Sequence, residues 1–186
     1  MISKSNSNLS GLAIILVDIQ EKLLSGIHNK KQLLNSVRLL IQSAKLFEIN
    51  IVLTEQVPEK LGNTDLFLSE LLPCSNVVAK NSFSVFGSDS FKNYLKSAET
   101  NHIVLCGIET SICIYLSAID ARRAGMEVTI LYDCVGGRRE DDSRITLDKL
   151  ELAGCHIMPL ESFLYGLMGN ADCPHFKMIS KLVKER

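Results

Sequence analysis

The sequence predicts an α/β domain: a three-layer α/β/α, Rossmann-like arrangement around a six-stranded, mostly parallel sheet. Two observations carry this. Short, continuous apolar runs such as residues 12–17 and 103–106 read as strands buried on both faces, as parallel strands are. Strand-like and helix-like stretches also alternate along the chain, the pattern of βα units.

In order, residues 12–17 form the first strand, followed by Asp18. Residues 32–48 read as a helix, with Leu33, Val37, Leu40, Ile41, Ala44 and Phe47 on one face. Residues 51–54 form the second strand, ending at Glu55 and Gln56, where Pro58 opposes continuation. After a Gly62-Asn63 turn, residues 65–72 suggest a short helix, and residues 76–79 a third strand ending in Lys80. Ser88 or Asp89 can cap a helix running to Ser97. Residues 102–106 form the fourth strand, which Gly107 ends. Thr110 or Ser111 then caps a helix through Arg123, with Cys113 in its first turn. Residues 127–132 form the fifth strand, ending in Asp133, with a flexible Gly136-Gly137 loop after it. A helix over 141–153, a strand over 155–158 and helices over 159–167 and 174–185 complete the chain.

The 186 residues suffice for one domain with a full core, so residues 1–186 are read as a single domain with a polar tail at 1–10. A net charge of -1 gives no bulk electrostatic case for nucleic acid or an anionic membrane surface. No apolar stretch reaches transmembrane length. The polar start has no secretory h-region, which points to a cytoplasmic protein. The cysteines at 74, 106, 113, 134, 155 and 173 contain no Cys-x-x-Cys and read as reduced thiols.

Parallel strands share one carboxyl-end edge, where ligands bind. Asp18, Lys80 and Glu109 stand at such ends, with Cys113 just beyond. A thiol at a helix start feels the positive end of the dipole, which favours thiolate. A carboxylate, an ammonium and that thiol together make a base, a cation and a nucleophile. Singly each has a plainer reading: Asp18 as a cap, Lys80 as a solvated charge, Cys113 as a buried helix residue. Of the histidines, His102 lies at the wrong end of its strand and His156 within one.

The pattern Asp18-x-Gln20, Lys80 and Gly107-x-x-Thr110-x-x-Cys113 resembles the isochorismatase-like cysteine hydrolases, over roughly residues 12–164. Thr54-Glu55-Gln56-x-Pro58, Leu61-Gly62 and Lys80-x-x-Phe83-Ser84 resemble the isochorismatase domain-containing branch. The resemblance implies that Asp18 is the general base, that Lys80 holds it, and that Cys113 attacks a carbonyl, usually of an amide, to give a thioester. It further implies an oxyanion hole from the main-chain N–H groups of Glu109 and Cys113, a cis bond at Ile108–Glu109, and Gln20, Gln56 and Phe83 in the substrate pocket. Nicotinamidases of the family carry an Asp-x-His…His metal site after the second strand. Here that stretch, Thr54 to Glu59, has no histidine, so no metal and no other cofactor is expected. Leu23 replaces an aromatic residue that many amidases of the family carry. The expected partners are a small-molecule substrate and further copies of the chain in a homo-oligomer, with the apolar C-terminal segment a candidate interface. Two other readings stay open: hydrolysis of a vinyl ether, which needs the aspartate but not the thiol, and a binding or scaffold protein with a vestigial site.

Overall fold

The strand β1 (Leu12–Val17) is buried along its whole length. Leu12, Ile14 and Leu16 enter one apolar cluster, while Ala13, Ile15 and Val17 enter another. Successive side chains on a strand point to opposite faces, so β1 has a core on each side. The computed structural model describes residues 9–73 and 76–186; residues 1–8 of the expected tail, and Cys74, lie outside them.

After β1 come the single turn α1 (Glu21–Leu24), the long α2 (Lys30–Leu46), β2 (Asn50–Gln56), the single turns α3 (Pro58–Leu61) and α4 (Leu66–Ser69), and β3 (Asn76–Lys80). Then follow α5 (Asp89–Ser97), β4 (His102–Ile108), α6 (Tyr115–Arg123), β5 (Glu127–Gly136), α7 (Glu140–Leu152), β6 (His156–Met158), α8 (Leu160–Met168) and α9 (Phe176–Lys184). The sheet order is β3-β2-β1-β4-β5-β6, with every pairing parallel. Helices α2, α8 and α9 cover one face, and α5, α6 and α7 the other, giving the three layers expected. No helix among the described residues is long and apolar enough to cross a membrane.

Strand β1 borders both β2 and β4, so the chain winds outward one way through β3 and then the other way through β6. The order reverses between β1 and β4, and in parallel sheets ligands bind at the carboxyl ends next to such a reversal. Asp18 and the segment carrying Cys113 both leave the sheet there.

Several boundaries differ from those read in the sequence. Gly107 does not end its strand; it lies inside β4, paired with Val17. At its φ of +115° an added Cβ would stand 2.2 Å from the Val17 carbonyl oxygen, so only glycine permits this approach of β4 to β1. Strand β5 runs past Asp133 to Gly136, so Gly136 is paired with Ile108 rather than free in a loop. It gets there through a register shift: Leu105 faces Ile130 but Gly107 faces Val135. Asp133 tolerates burial inside the strand because it accepts the Leu160 main-chain N–H at 2.8 Å and pairs with Arg186 at 2.7 Å. The C-terminal segment is not a free apolar surface. In α9, Ile179 is fully buried, and Phe176, Leu182 and Val183 pack on the chain's own core.

Candidate active site

Asp18 follows β1 with a φ of +53°, a left-handed conformation that aspartate adopts more readily than most residues. Its main-chain N–H donates to the Thr54 carbonyl at 3.1 Å, which continues the β1–β2 ladder by one residue. The carboxylate is fully buried. Oδ1 accepts the Thr54 hydroxyl at 2.7 Å, and Oδ2 accepts Lys80 Nζ at 2.6 Å.

Lys80 closes β3, opposite Gln56 on β2. Besides Asp18, its ammonium donates to Gln56 Oε1 at 2.7 Å and to the carbonyls of Ser82 at 3.0 Å and Phe83 at 3.3 Å. A buried ammonium is tolerable because it has a counter-ion and its protons have acceptors. Lys80 is therefore no solvated charge, and Asp18 caps no helix.

Cys113 lies beyond β4. The Ile108–Glu109 bond is cis, as the resemblance implied. The next turn, Thr110–Ile114, is a π-turn with Glu109 at its cap and no side-chain capping bond, so neither Thr110 nor Ser111 caps a helix. The expected thiolate is also corrected. Burial pushes the Cys113 thiol up to about 12, and the adjacent Asp18 charge acts in the same direction; Lys80 opposes them. The Asp18 side chain works against ionisation of the thiol, and the Glu109 main chain works for it. The resting group is thus a protonated thiol beside a carboxylate.

The residues expected around the pocket divide. Gln56 is at the site: its Oε1 accepts from Lys80 and its Nε2 donates to the Asn81 carbonyl at 2.8 Å. Phe83 is 59% exposed, at the rim, and touches the site only through its carbonyl. Gln20 is fully buried, with Oε1 accepting the Gln56 N–H at 2.8 Å and Nε2 donating to the Gln56 and Gly62 carbonyls. It works as a strut between the end of β2 and the loop beyond α3. Glu55 is engaged likewise, accepting the N–H and hydroxyl of Thr64 at 2.7 and 2.9 Å.

Two contacts were missed in the sequence. Thr54 is a polar residue at the end of an apolar strand, which was the available signal. Arg138, in the loop after β5, donates from Nε to Glu109 Oε2 at 2.9 Å; with the fifth strand read as ending at Asp133, the sequence carried no signal for it. Elsewhere, His102 Nε2 lies 2.9 Å from Thr129 Oγ1, at the opposite end of the sheet. The His175 ring meets Phe47 edge-on. Among the described residues no three His, Cys, Asp or Glu side chains gather as metal ligands. The second strand offers one carboxylate, already committed to Thr64, so no step is assigned to a metal.

The model of the isochorismatase domain matches residues 12–162. The chain is 34% identical over 176 residues to isochorismatase domain-containing protein 2 of Danio rerio, covering 93% of this chain and 87% of that one. It superposes on the structure of a Caenorhabditis elegans protein described as MAR1 ribonuclease with a TM-score of 0.88 and 30% identity, over 94% of this chain and 90% of the other. It shares its fold with YcaC of Escherichia coli, described as an octameric hydrolase of unknown specificity, at a TM-score of 0.85 and 20% identity over 95% and 94% of the two chains.

Proposed function

We propose, from the premise that this chain belongs to the isochorismatase family, that it is a metal-independent cysteine hydrolase cleaving a C–N bond of a small amide or related carbonyl compound. The observation that carries this reading is the buried Asp18 carboxylate, gripped by Lys80 at 2.6 Å, whose charge acts on the neighbouring Cys113 thiol.

With a thiol pushed up to about 12, little thiolate exists at neutral pH. Proton transfer therefore accompanies attack: Asp18 takes the thiol proton as Sγ bonds to the substrate carbonyl carbon. The carbonyl π electrons move to oxygen, and the main-chain N–H groups of Glu109 and Cys113 receive that oxyanion. The tetrahedral intermediate collapses, the C–N bond breaks, and the amine leaves with the proton from Asp18. A water, deprotonated by Asp18, then attacks the thioester. Its collapse releases the acid, and the sulfur regains a proton. Lys80 holds the carboxylate in place at 2.6 Å through each half-reaction.

Cys113 is only 7% exposed, which favours a small substrate. Gln56 and Phe83 contribute to its pocket, and Gln20 acts on it by fixing Gln56. We carry forward the homo-oligomer as part of this reading, tested by light scattering on the purified chain.

The test is a panel of small amides, esters and vinyl ethers, with RNA added because the Caenorhabditis elegans relative is called a ribonuclease. Turnover of one amide that falls roughly 10³-fold or more in Cys113→Ala supports the reading. Trapping of the acyl group by hydroxylamine would support the thioester. Turnover that survives Cys113→Ala but not Asp18→Asn would move the assignment to vinyl ether hydrolysis. No turnover across the panel, with Cys113 no more reactive than the other thiols, would favour a vestigial site.

A further inference from the structure

We infer that Ser117 is a positioning residue for Lys80: its hydroxyl, on α6, fixes the loop whose carbonyls hold the Lys80 ammonium. The inference rests on the reading of Lys80 as the group that holds Asp18 for catalysis. Lys80 Nζ donates to the carbonyls of Ser82 at 3.0 Å and Phe83 at 3.3 Å, as well as to Asp18 at 2.6 Å. Both carbonyls belong to the loop 81–87, so the ammonium is held only as firmly as that loop is.

The loop is closed on itself. Ser82 Oγ donates to the Ser84 carbonyl at 2.7 Å, and Ser84 Oγ accepts the Phe86 N–H at 3.2 Å. The Gly87 N–H returns to the Ser84 carbonyl at 3.2 Å. An added Cβ at Gly87 would stand 2.2 Å from Ser82 Oγ, so the two ends of the loop pack directly on one another. A piece closed in this way is placed by its ties to the rest of the fold. On the β2 side, Gln56 Nε2 donates to the Asn81 carbonyl at 2.8 Å. On the α6 side, the Val85 N–H donates to Ser117 Oγ at 3.0 Å.

Ser117 lies four residues past Cys113 and is fully buried. A buried helix serine often turns its hydroxyl back to the carbonyl four residues earlier, as Ser36 on α2 does to Gln32 at 2.9 Å. The Ser117 oxygen receives a main-chain N–H from another element. Val85 is itself fully buried, in the same apolar cluster as Cys113 and Ala118. Bulk water does not reach its N–H, so without Ser117 Oγ that donor loses its acceptor. The segment that carries Cys113 thus also fixes the loop that steadies Lys80. The Lys80 charge eases ionisation of the Cys113 thiol, so a looser ammonium is felt at the nucleophile.

The experiment uses the folded full chain, isotope-labelled, and reads by NMR how fast the Lys80 Nζ protons exchange with water. Deuterium uptake at the Val85 amide is read beside it. The variants are Ser117→Ala, Ser117→Thr and, as a control for general loosening in the opposite layer, Ser36→Ala. In Ser117→Ala the Lys80 protons should exchange about two- to tenfold faster, the span of one net hydrogen bond, with faster uptake at Val85. Ser117→Thr keeps the hydroxyl and should stay near wild type, and Ser36→Ala should leave Lys80 unchanged. An unchanged Lys80 rate in Ser117→Ala would overturn the inference; faster uptake at Val85 alone marks a scaffold contact. So would Ser117→Thr as fast as Ser117→Ala, which assigns the effect to packing, or an equal Lys80 response in Ser36→Ala. Where Ser117→Ala does not fold, Ser117→Cys, which stays small and accepts only weakly, gives the same comparison. None of these readouts uses turnover. Activity that survived Cys113→Ala would sink the cysteine hydrolase reading while the tie from Ser117 to Lys80 stood.

Discussion

Replacing Lys80 by Met removes one buried charge and keeps most of the apolar stem. Lys80 and Asp18 side chains are both 0% exposed and 2.6 Å apart. The substitution leaves Asp18 with the Thr54 hydroxyl but no counter-ion. It also strips a donor from Gln56 Oε1 and from the Ser82 and Phe83 carbonyls. Breaking a buried pair from one side costs roughly 3–5 kcal/mol, and the orphaned acceptors act in the same direction. Domains of this kind are stable by about 5–15 kcal/mol. Lys80→Met should therefore lie near the margin of folding. With a urea m-value of about 1–3 kcal/mol/M, its midpoint should fall by at least about 1 M. The assay is urea unfolding followed by circular dichroism, with Asp18→Asn/Lys80→Met as the companion variant. The companion has no unpaired charge and should recover most of the loss. A Lys80→Met protein within about 1 kcal/mol of wild type would mean that the pair does not hold the sheet edge together. A companion no better than the single variant would assign the loss to packing instead of charge.

The raised Cys113 thiol makes stability depend on pH. Unfolded cysteine ionises near the ordinary value and the folded one only near 12, so the stability is fully present below about pH 8.5 and is lost as pH climbs towards 12. Relative to Cys113→Ser, wild type should lose roughly 1–3 kcal/mol by pH 11, read from paired denaturant melts. Asp18→Asn should act in opposite senses on two readouts: turnover lost by about 10²-fold or more, yet Cys113 alkylated faster at pH 8, because the carboxylate raises the thiol. Slower alkylation in that variant would contradict the assigned electrostatics. Gly107→Ala should destabilise by more than about 2 kcal/mol, since its methyl meets the Val17 carbonyl; a melt within 1 kcal/mol of wild type would show that the strands can part there. His102→Ala should leave turnover unchanged, because its ring lies at the far end of the sheet.

Strands packed on both faces were the most legible part of the chain, because double-sided burial demands the uninterrupted apolar runs of β1 and β4. The end of β5 was hidden for the opposite reason. Asp133 reads as a terminator, and the groups that make it tolerable inside the sheet, the Leu160 N–H and Arg186, are distant in sequence. At the candidate site, Asp18, Lys80 and Cys113 stood out as polar or reactive residues at strand ends. The protonation of the thiol did not, because it depends on how deeply the turn is buried. Gln20 was read as a pocket residue from its motif; only the fold reveals that its amide is committed to main-chain partners. The Arg138–Glu109 pair links loops after neighbouring strands, so it became visible only once β4 and β5 were in register.

The close passage of β4 over β1 at Gly107 has a consequence for how such a chain can change over time. Asp18 and Glu109 emerge next to one another from strands tied by main-chain hydrogen bonds, so the spacing between base and nucleophile segment is inherited from the backbone ladder. Residues on the outer helices can drift without resetting it. Phe83, at the rim, sits on a loop outside that ladder. On the proposed reading, bond-breaking and substrate choice thus fall to separate parts of the chain, and exchange of the rim loop can retune one without rebuilding the other.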